Sequence, residues 1–390
     1  MKTVTKVLII ILAGLVFAGL AGCFTVVDVN GRAIVLGIGI DFENDIYTAT
    51  AEIISGSADA QSGGASSATR VTKGFGATVS DAIKKINSDI GKLPSLGQCG
   101  ILLLGEQLYK TTDLKQVLSF FAYSDAFRDG TVVACAKGKA EDMFMVQTPV
   151  DNSVSFAIQR LTRGDSSTSS AISNSLIKFL DGQMGLSNSS YLSLIEFVEE
   201  KGDASKESQN IDVKSGKFAS ERLVGFTNNR YVLTLTREQE KGYSLMSERD
   251  SYDNFIVIDD KDGEIWPKKV GVGILNKKVN IEVIDNGAPE VTVNIKLKLN
   301  RLRTDDTEKL IEFLPKTYND VTEKMQKQVQ TQVVKWVDSA LKVIKDTNCD
   351  IAGINRKFHI KYGKEWRDKL KDNPEILKQL KYKVTVETTN

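Results

Sequence analysis

Histidine is almost absent from this chain of 390 residues: His359 is the single example. Any mechanism that needs an imidazole base must use it. It stands in Lys357-Phe358-His359-Ile360, flanked by apolar residues. A structural role is the commoner one there, because a catalytic base also needs a partner within reach. Cysteine is scarce as well, with four residues, and no CxxC or Cys/His spacing marks a metal site. There is no GxSxG elbow, and no P-loop, HExxH or EF-hand loop. Gly37-Ile38-Gly39 lacks the third glycine of a dinucleotide loop, since Phe42 occupies that place. Asp259-Asp260-Lys261-Asp262-Gly263-Glu264 has a calcium-like composition but neither the EF-hand register nor its closing glutamate, so it reads as an Asp/Gly turn. An excess of either charge is also missing. Lys and Arg number 51 against 50 Asp and Glu, which gives no basic field for nucleic acid and no acidic tail. Beyond the N-terminal segment, no apolar run approaches the ~18 residues of a membrane span. These absences leave the catalytic, cofactor and metal-binding residues all as none.

What is present starts at the N-terminus. Lys2 and Lys6 precede an unbroken apolar and glycine run over 7–20, and Leu20-Ala21-Gly22-Cys23 follows. A positive segment, an apolar segment of roughly 7–15 residues and a small-residue cleavage site make a secretory signal. A cysteine directly after Leu-Ala-Gly resembles the bacterial lipobox, in which the thiol accepts lipid and becomes the mature N-terminus. Residues 1–22 are therefore expected to be a lipoprotein signal peptide, with Cys23 the lipidation site. An uncleaved anchor is disfavoured, because the run falls short of the ~20 residues needed to cross hydrocarbon. With Cys23 lipidated, Cys99, Cys135 and Cys349 remain. Three buried thiols are favoured over one disulfide with a thiol left over, since a chain this long needs no staples.

The body of the chain alternates strands and helices. Strands are expected at 33–41, 46–54, 70–75, 99–104, 130–137 and 191–198, with helices over 80–90, 113–123 and two segments within 153–182. This pattern argues an α/β or α+β region on a mixed sheet. The glycines of 33–41 let other groups approach that strand closely. Ser55 to Ala68 and Gly164 to Ser170 are small, polar loop stretches. A polar stretch over 201–215 separates an N-terminal mixed-sheet region, 23–200, from a C-terminal region, 216–390, rich in hairpins.

In the C-terminal region strands are expected at 217–226, 231–236 and 255–258. A long hairpin, 270–285 with 290–301, turns at Asn286-Gly287-Ala288-Pro289. Val291, Val293, Ile295, Leu297 and Leu299 alternate with polar residues, so one face is buried. An amphipathic helix follows from Asp305 to about Lys345, with Pro315 a potential break and a core-facing stripe through Leu310, Leu314, Tyr318, Val321, Met325, Val329, Val333, Trp336, Ala340 and Ile344. Next come a basic strip, a short helix near 374–380 and a terminal strand, 382–388. The strip is Arg356, Lys357, Lys361, Lys364, Arg367, Lys369 and Lys371, and Glu365, Asp368, Asp372 and Glu375 balance it, which favours a solvated face over a lipid-binding one. The fold class is thus α+β and multi-domain: mixed β-sheets with packed helices, and one long amphipathic helix in the C-terminal half.

Several blocks, taken in order, resemble the Ger(x)C family of spore germination lipoproteins, the C subunits of GerA-type nutrient germinant receptors. They are the lipobox; 33–41, closing in Gly39-Ile40-Asp41; Cys99-Gly100-Ile101-Leu102-Leu103-Leu104-Gly105-Glu106; and Arg128 followed by Ala134-Cys135-Ala136-Lys137-Gly138-Lys139-Ala140. Further on stand Cys349-Asp350-Ile351-Ala352-Gly353 and Lys361-Tyr362-Gly363-Lys364-Glu365-Trp366. Two departures are Phe24-Thr25-Val26 after the lipid cysteine, and Gly363 where the family usually has proline. The resemblance implies a non-enzymatic subunit without cofactors. It implies a lipid anchor on the outer face of the spore inner membrane and partnership with integral-membrane A and B subunits. It does not imply nucleic-acid binding, and it leaves open whether this subunit touches the small-molecule nutrient. The alternative is a lipid-anchored solute-binding protein delivering a small molecule to a transporter, which calls for two similar lobes around a cleft.

Overall fold

The computed structural model describes residues 32–54, 69–124, 127–148, 151–163, 172–199, 215–247, 255–259, 269–301 and 321–390. The signal segment, Cys23, the loops expected at 55–68 and 164–170, most of the 201–215 linker, the Asp/Gly turn beyond Asp259, and residues 305–320 with Pro315 lie outside the described residues.

The first half opens with two hairpin strands, β1 (Arg32–Glu43) and β2 (Ile46–Ile54). Asn44 and Asp45 join them at φ 52° and 61°, the left-handed pair that matches strand twist in a two-residue turn. β3 (Thr69–Gly76) follows, then α1 (Val79–Ile90), whose first turn Thr78 caps by accepting from the Asp81 amide at 3.1 Å. Next are β4 (Leu93–Ser95), β5 (Ile101–Leu104), α2 (Glu106–Thr111) and α3 (Leu114–Ala122), the last capped by Asp113. β6 (Val132–Ala136), α4 (Ala140–Phe144), α5 (Val154–Arg163), β7 (Asn174–Ser175), α6 (Leu176–Met184) and β8 (Ser189–Glu199) complete the stretch before 200.

Beyond 215, β9 (Gly216–Thr227) and β10 (Arg230–Thr234) extend this same sheet. The strand order is β10-β9-β8-β6-β5-β1-β2-β3, with β4 beside β1 and β7 beside β6. β1, β5, β6 and β8 run parallel at the centre, and antiparallel hairpins flank them at both ends. A parallel centre must be covered on both faces. Here α1, α2, α3 and α6 contribute to one apolar core and α4 and α5 to the other. The glycines of β1 decide how closely the second layer sits. A Cβ on Gly37 would come within 3.0 Å of Ser155, and one on Gly39 would press on Ala140 and Phe144. Ile38 and Ile40, on the opposite face, are fully buried.

The second half is a four-stranded sheet of order β11-β12-β13-β14, made of β11 (Phe255–Asp259), β12 (Lys269–Asp285), β13 (Pro289–Arg301) and β14 (Lys381–Thr389). The five alternating apolar residues of β13 are all buried, and Gly287 takes the positive φ, 91°, at the β12–β13 turn. A ten-residue helix, α7 (Arg237–Met246), lies between the halves in sequence. Sequence periodicity did not reveal it. Its signal is the capping box Thr236-x-x-Gln239, in which each side chain accepts from the other's amide.

The long helix starts later than the expected 305. Residues 321 and 322 are not helical, and α8 (Glu323–Thr347) begins where Thr322 caps the Met325 amide. Of the expected stripe, Met325, Val329, Val333, Ala340 and Ile344 are buried, whereas Trp336 is only half-buried and Val337 and Leu341 join the buried face instead. The basic strip, in which the sequence pattern marks no element before a short helix near 374–380, forms α9 (Ile354–Tyr362) and α10 (Lys364–Asp372), and the expected short helix is a 3-10 turn, Ile376–Gln379. Charge dominates its composition and hides the few apolar anchors, Ile354, Phe358 and Trp366, that bury it. The fold is α+β with mixed sheets, as the sequence led us to expect.

Candidate functional site

Three buried carboxylates, Asp41, Glu52 and Asp350, each cap a helix, the first two from about a hundred positions away in sequence. Asp41, at the end of Gly-Ile-Asp, accepts from the Ala140 and Glu141 amides at 2.8 and 2.9 Å, closing the N-terminus of α4. Burial raises its pKa, against the opposing pull of those two amides. Glu106 holds the Gly138 amide at 2.8 Å while its own amide donates to the Gly138 carbonyl at 2.7 Å. Its carboxyl is held below the usual range, first by the hydrogen bond from Lys110. The Gly-Ile-Asp, Gly-Glu and Ala-Lys-Gly-Lys-Ala blocks therefore meet in one structural knot. Glu52 accepts from the Val154 and Ser155 amides and from the Ser153 and Ser155 hydroxyls, capping α5.

Asp350 is the third, 2% exposed. It accepts from the Ile354 and Asn355 amides at 2.7 and 2.8 Å, closing the N-terminus of α9, and from the Ser187 hydroxyl of the first half. Burial raises its pKa against the pull of these donors. Asp350 thus sits at the seam of the halves, on the wall of a cleft of about 850 Å³. α6, the turn after it and the start of β8 form one wall; α7 and the segment from Asp350 through α9 form the other. The two halves are not similar lobes, since one is a ten-stranded sheet and the other a four-stranded sheet with a long helix.

His359 accounts for little chemistry. Its Nδ1 donates to the Gly363 carbonyl at 2.7 Å, which leaves Nε2 to accept from Arg367 at 3.3 Å. Gly363 itself has φ 59° and ψ −125°, a conformation that proline, held near φ −65°, cannot adopt. Trp366 is fully buried and stacks on Phe358 with ring centroids 4.1 Å apart. The basic strip divides by partner. Lys361 donates to the Val283 carbonyl at 2.6 Å, Lys369 pairs with Asp285, and Lys371 lies 3.9 Å from Asp368. Arg356 and Lys357 line the cleft.

Cys99, Cys135 and Cys349 are free and buried. Burial pushes Cys99 up to about 12 and Cys349 up to about 11, and raises Cys135 as well, so all three stay thiols at neutral pH. Among the described residues, no group of three or more His, Cys, Asp or Glu is placed to hold a metal ion, and no helix is long and apolar enough to cross a membrane.

Fold and site together define a two-part α+β protein whose sequence blocks serve capping and packing. A family model described as "Spore germination protein N-terminal domain" matches residues 26–197, and one described as "Spore germination B3/ GerAC like, C-terminal" matches 223–389. The chain belongs to this spore germination family. It is 28% identical over 241 residues to spore germination protein B3 of Bacillus subtilis (strain 168), an alignment covering 60% of this chain. The chain spans about 61% of the length of that curated relative. The crystal structure of the GerBC protein superposes with a TM-score of 0.51 at 17% identity, covering 91% of this chain and 97% of the other. That likeness is one of fold.

Proposed function

We propose that the chain is the lipoprotein C subunit of a spore nutrient germinant receptor, non-enzymatic, acting beside integral-membrane A and B subunits to trigger germination. The observation that carries this reading is the pair of family matches, in order, over 26–197 and 223–389. The described chemistry agrees with it. The one imidazole is tied to Gly363 and Arg367, and the described thiols are buried. In this reading Cys23 carries the lipid, and the anchor holds the folded halves at the outer face of the spore inner membrane. More than one acyl chain makes such an anchor firm, since a single myristoyl chain binds only marginally. The solute-binding alternative is disfavoured by the dissimilar halves.

The test is Cys23→Ala in spores. The altered chain is expected to leave the membrane fraction and nutrient-triggered germination to fall, while germination by agents acting on later steps is unchanged. Normal nutrient germination with a variant shown to be soluble would sink the tethering role. Co-purification from spore membranes is expected to bring polytopic partners with the wild-type chain.

A further inference from the structure

The cleft between the halves has features that helix capping does not explain. At about 850 Å³ it falls within the range of small-molecule sites, roughly 300–1,000 Å³. Its polar groups come from both halves. From the first half come Asn174, Lys178, Asp181 and the hydroxyls of three serines; from the second come Tyr243, Asp350, Arg356 and Lys357.

Asn174 is the informative residue. It is 3% exposed, yet it lines the cleft. Its Nδ2 donates to the Ser190 hydroxyl at 3.3 Å and to the Tyr191 carbonyl at 2.9 Å, which uses both of its hydrogens. That fixes the amide orientation and leaves Oδ1, a pure acceptor, with no partner in the protein. A buried acceptor left unpaired is costly, so the group best suited to it is an N–H or O–H donor.

The charges define the rest of the ligand. Lys178 on α6 and Arg356 on α9 are exposed, line the same cleft from opposite halves, and have no ion-pair partner among the described residues. Two carboxylates share the wall. Asp350 is occupied by two amides and a hydroxyl. Asp181, one turn along α6 from Lys178, makes no ion pair with it and leaves Arg356 in the other half unopposed. Two cations facing one space, one of them a guanidinium suited to bidentate contacts, recognise a carboxylate or a phosphate.

We propose that this cleft binds a small polar anion, a carboxylate or phosphate that also carries a hydroxyl or amino donor. Lys178 and Arg356 hold the anionic group, and Asn174 Oδ1 accepts from the donor. Because the two cations belong to different halves, a bound ligand ties the halves together. The site is independent of the germination reading, since it rests on the cleft alone.

The test is isothermal titration of the full-length chain in detergent with glycerol 3-phosphate and with glycerate, which separate phosphate from carboxylate. Glycerol serves as the donor without an anion, and inorganic phosphate as the anion without a donor-bearing skeleton. Saturable binding of glycerol 3-phosphate or glycerate is expected, with no binding of glycerol. Lys178→Gln and Arg356→Gln are each expected to weaken it about tenfold, as loss of a hydrogen bond to a charged group implies. Asn174→Leu is expected to reduce affinity for the hydroxylated anion to that for inorganic phosphate. Both glutamine variants change exposed side chains, so they keep the test decisive if Asn174→Leu fails to fold. The proposal is overturned if neither anion saturates, if binding is unchanged in the Lys178→Gln/Arg356→Gln double variant, or if glycerol binds as tightly as its phosphate.

Discussion

Asp350→Ala is expected to destabilise the folded chain by about 3–5 kcal/mol, because the lost carboxylate leaves buried donors behind. Two of them are the first free amides of α9, Ile354 and Asn355, and the third is the Ser187 hydroxyl. Removing a cap costs about 0.5–2 kcal/mol, and each further buried donor left unpaired adds about 1–3 kcal/mol. The damage also falls on the seam, since Ser187 belongs to the first half and α9 to the second. Urea denaturation measures it, and a loss below about 1 kcal/mol would show that water reaches these donors and that the cap is dispensable. Asp350→Asn separates charge from shape. Burial raises the Asp350 pKa in the folded chain, so the folded state takes up its proton at higher pH than the unfolded one does. The contribution of a raised group is complete below the unfolded value of about 3.9 and is lost as pH rises through the folded value. Wild type should therefore gain stability relative to Asp350→Asn as pH falls from 7 toward that range. A difference that shrinks on acidification would reverse the sign and contradict a burial-dominated carboxyl.

Much of the fold was legible because periodicity and turn chemistry are local. The hairpin over Asn44-Asp45, the alternation of β13 and the stripe of α8 were all readable from neighbours in sequence. What escaped were elements whose reason for forming lies elsewhere. β9 and β10 follow the polar 201–215 stretch, yet they complete the first sheet by pairing with β8, and no local pattern states which sheet a strand joins. The basic strip looked like a solvated surface, and four of its cations do have partners, Asp368 and His359 nearby in sequence and Val283 and Asp285 on β12. Its helices are fixed by the stacked Phe358 and Trp366 and by the cap Asp350, which also reaches Ser187 in the first half. The sequence blocks that carry the family resemblance were visible as patterns, but their work was not. Asp41 and Ala140 stand 99 positions apart, and only the folded chain reveals that one caps the other. The cleft was hidden for the same reason. Asn174, Lys178 and Arg356 carry no motif, and only the docking of the two halves brings them to one space.

Gly242→Ala is expected to destabilise the chain by about 1–2 kcal/mol although alanine is the better helix former. Propensity alone predicts a gain of about 1 kcal/mol for this change within a helix. Packing opposes it. A Cβ at Gly242 would lie less than 3.0 Å from the backbone carbonyl of Trp336 and from the Val337 nitrogen. Those atoms belong to the rigid α8 main chain, so relief requires α7 and α8 to move apart, and overpacking of this kind costs about 1–3 kcal/mol or more. Other contacts hold α7 in place and resist that movement. Lys241 lies 5.1 Å over the Trp336 ring, Tyr243 meets Tyr191 of β8 with centroids 5.2 Å apart, and Lys277 of β12 donates to the Ser244 and Ser247 carbonyls at 2.8 Å. α7 thus touches the first sheet, the second sheet and the long helix together, and displacing it loosens the joint between the halves. Chemical denaturation of Gly242→Ala beside an alanine substitution at exposed Arg237, on the same helix, isolates the packing term. A neutral or stabilised Gly242→Ala would mean that the two helices tolerate separation, and that α7 does not set the spacing of the halves.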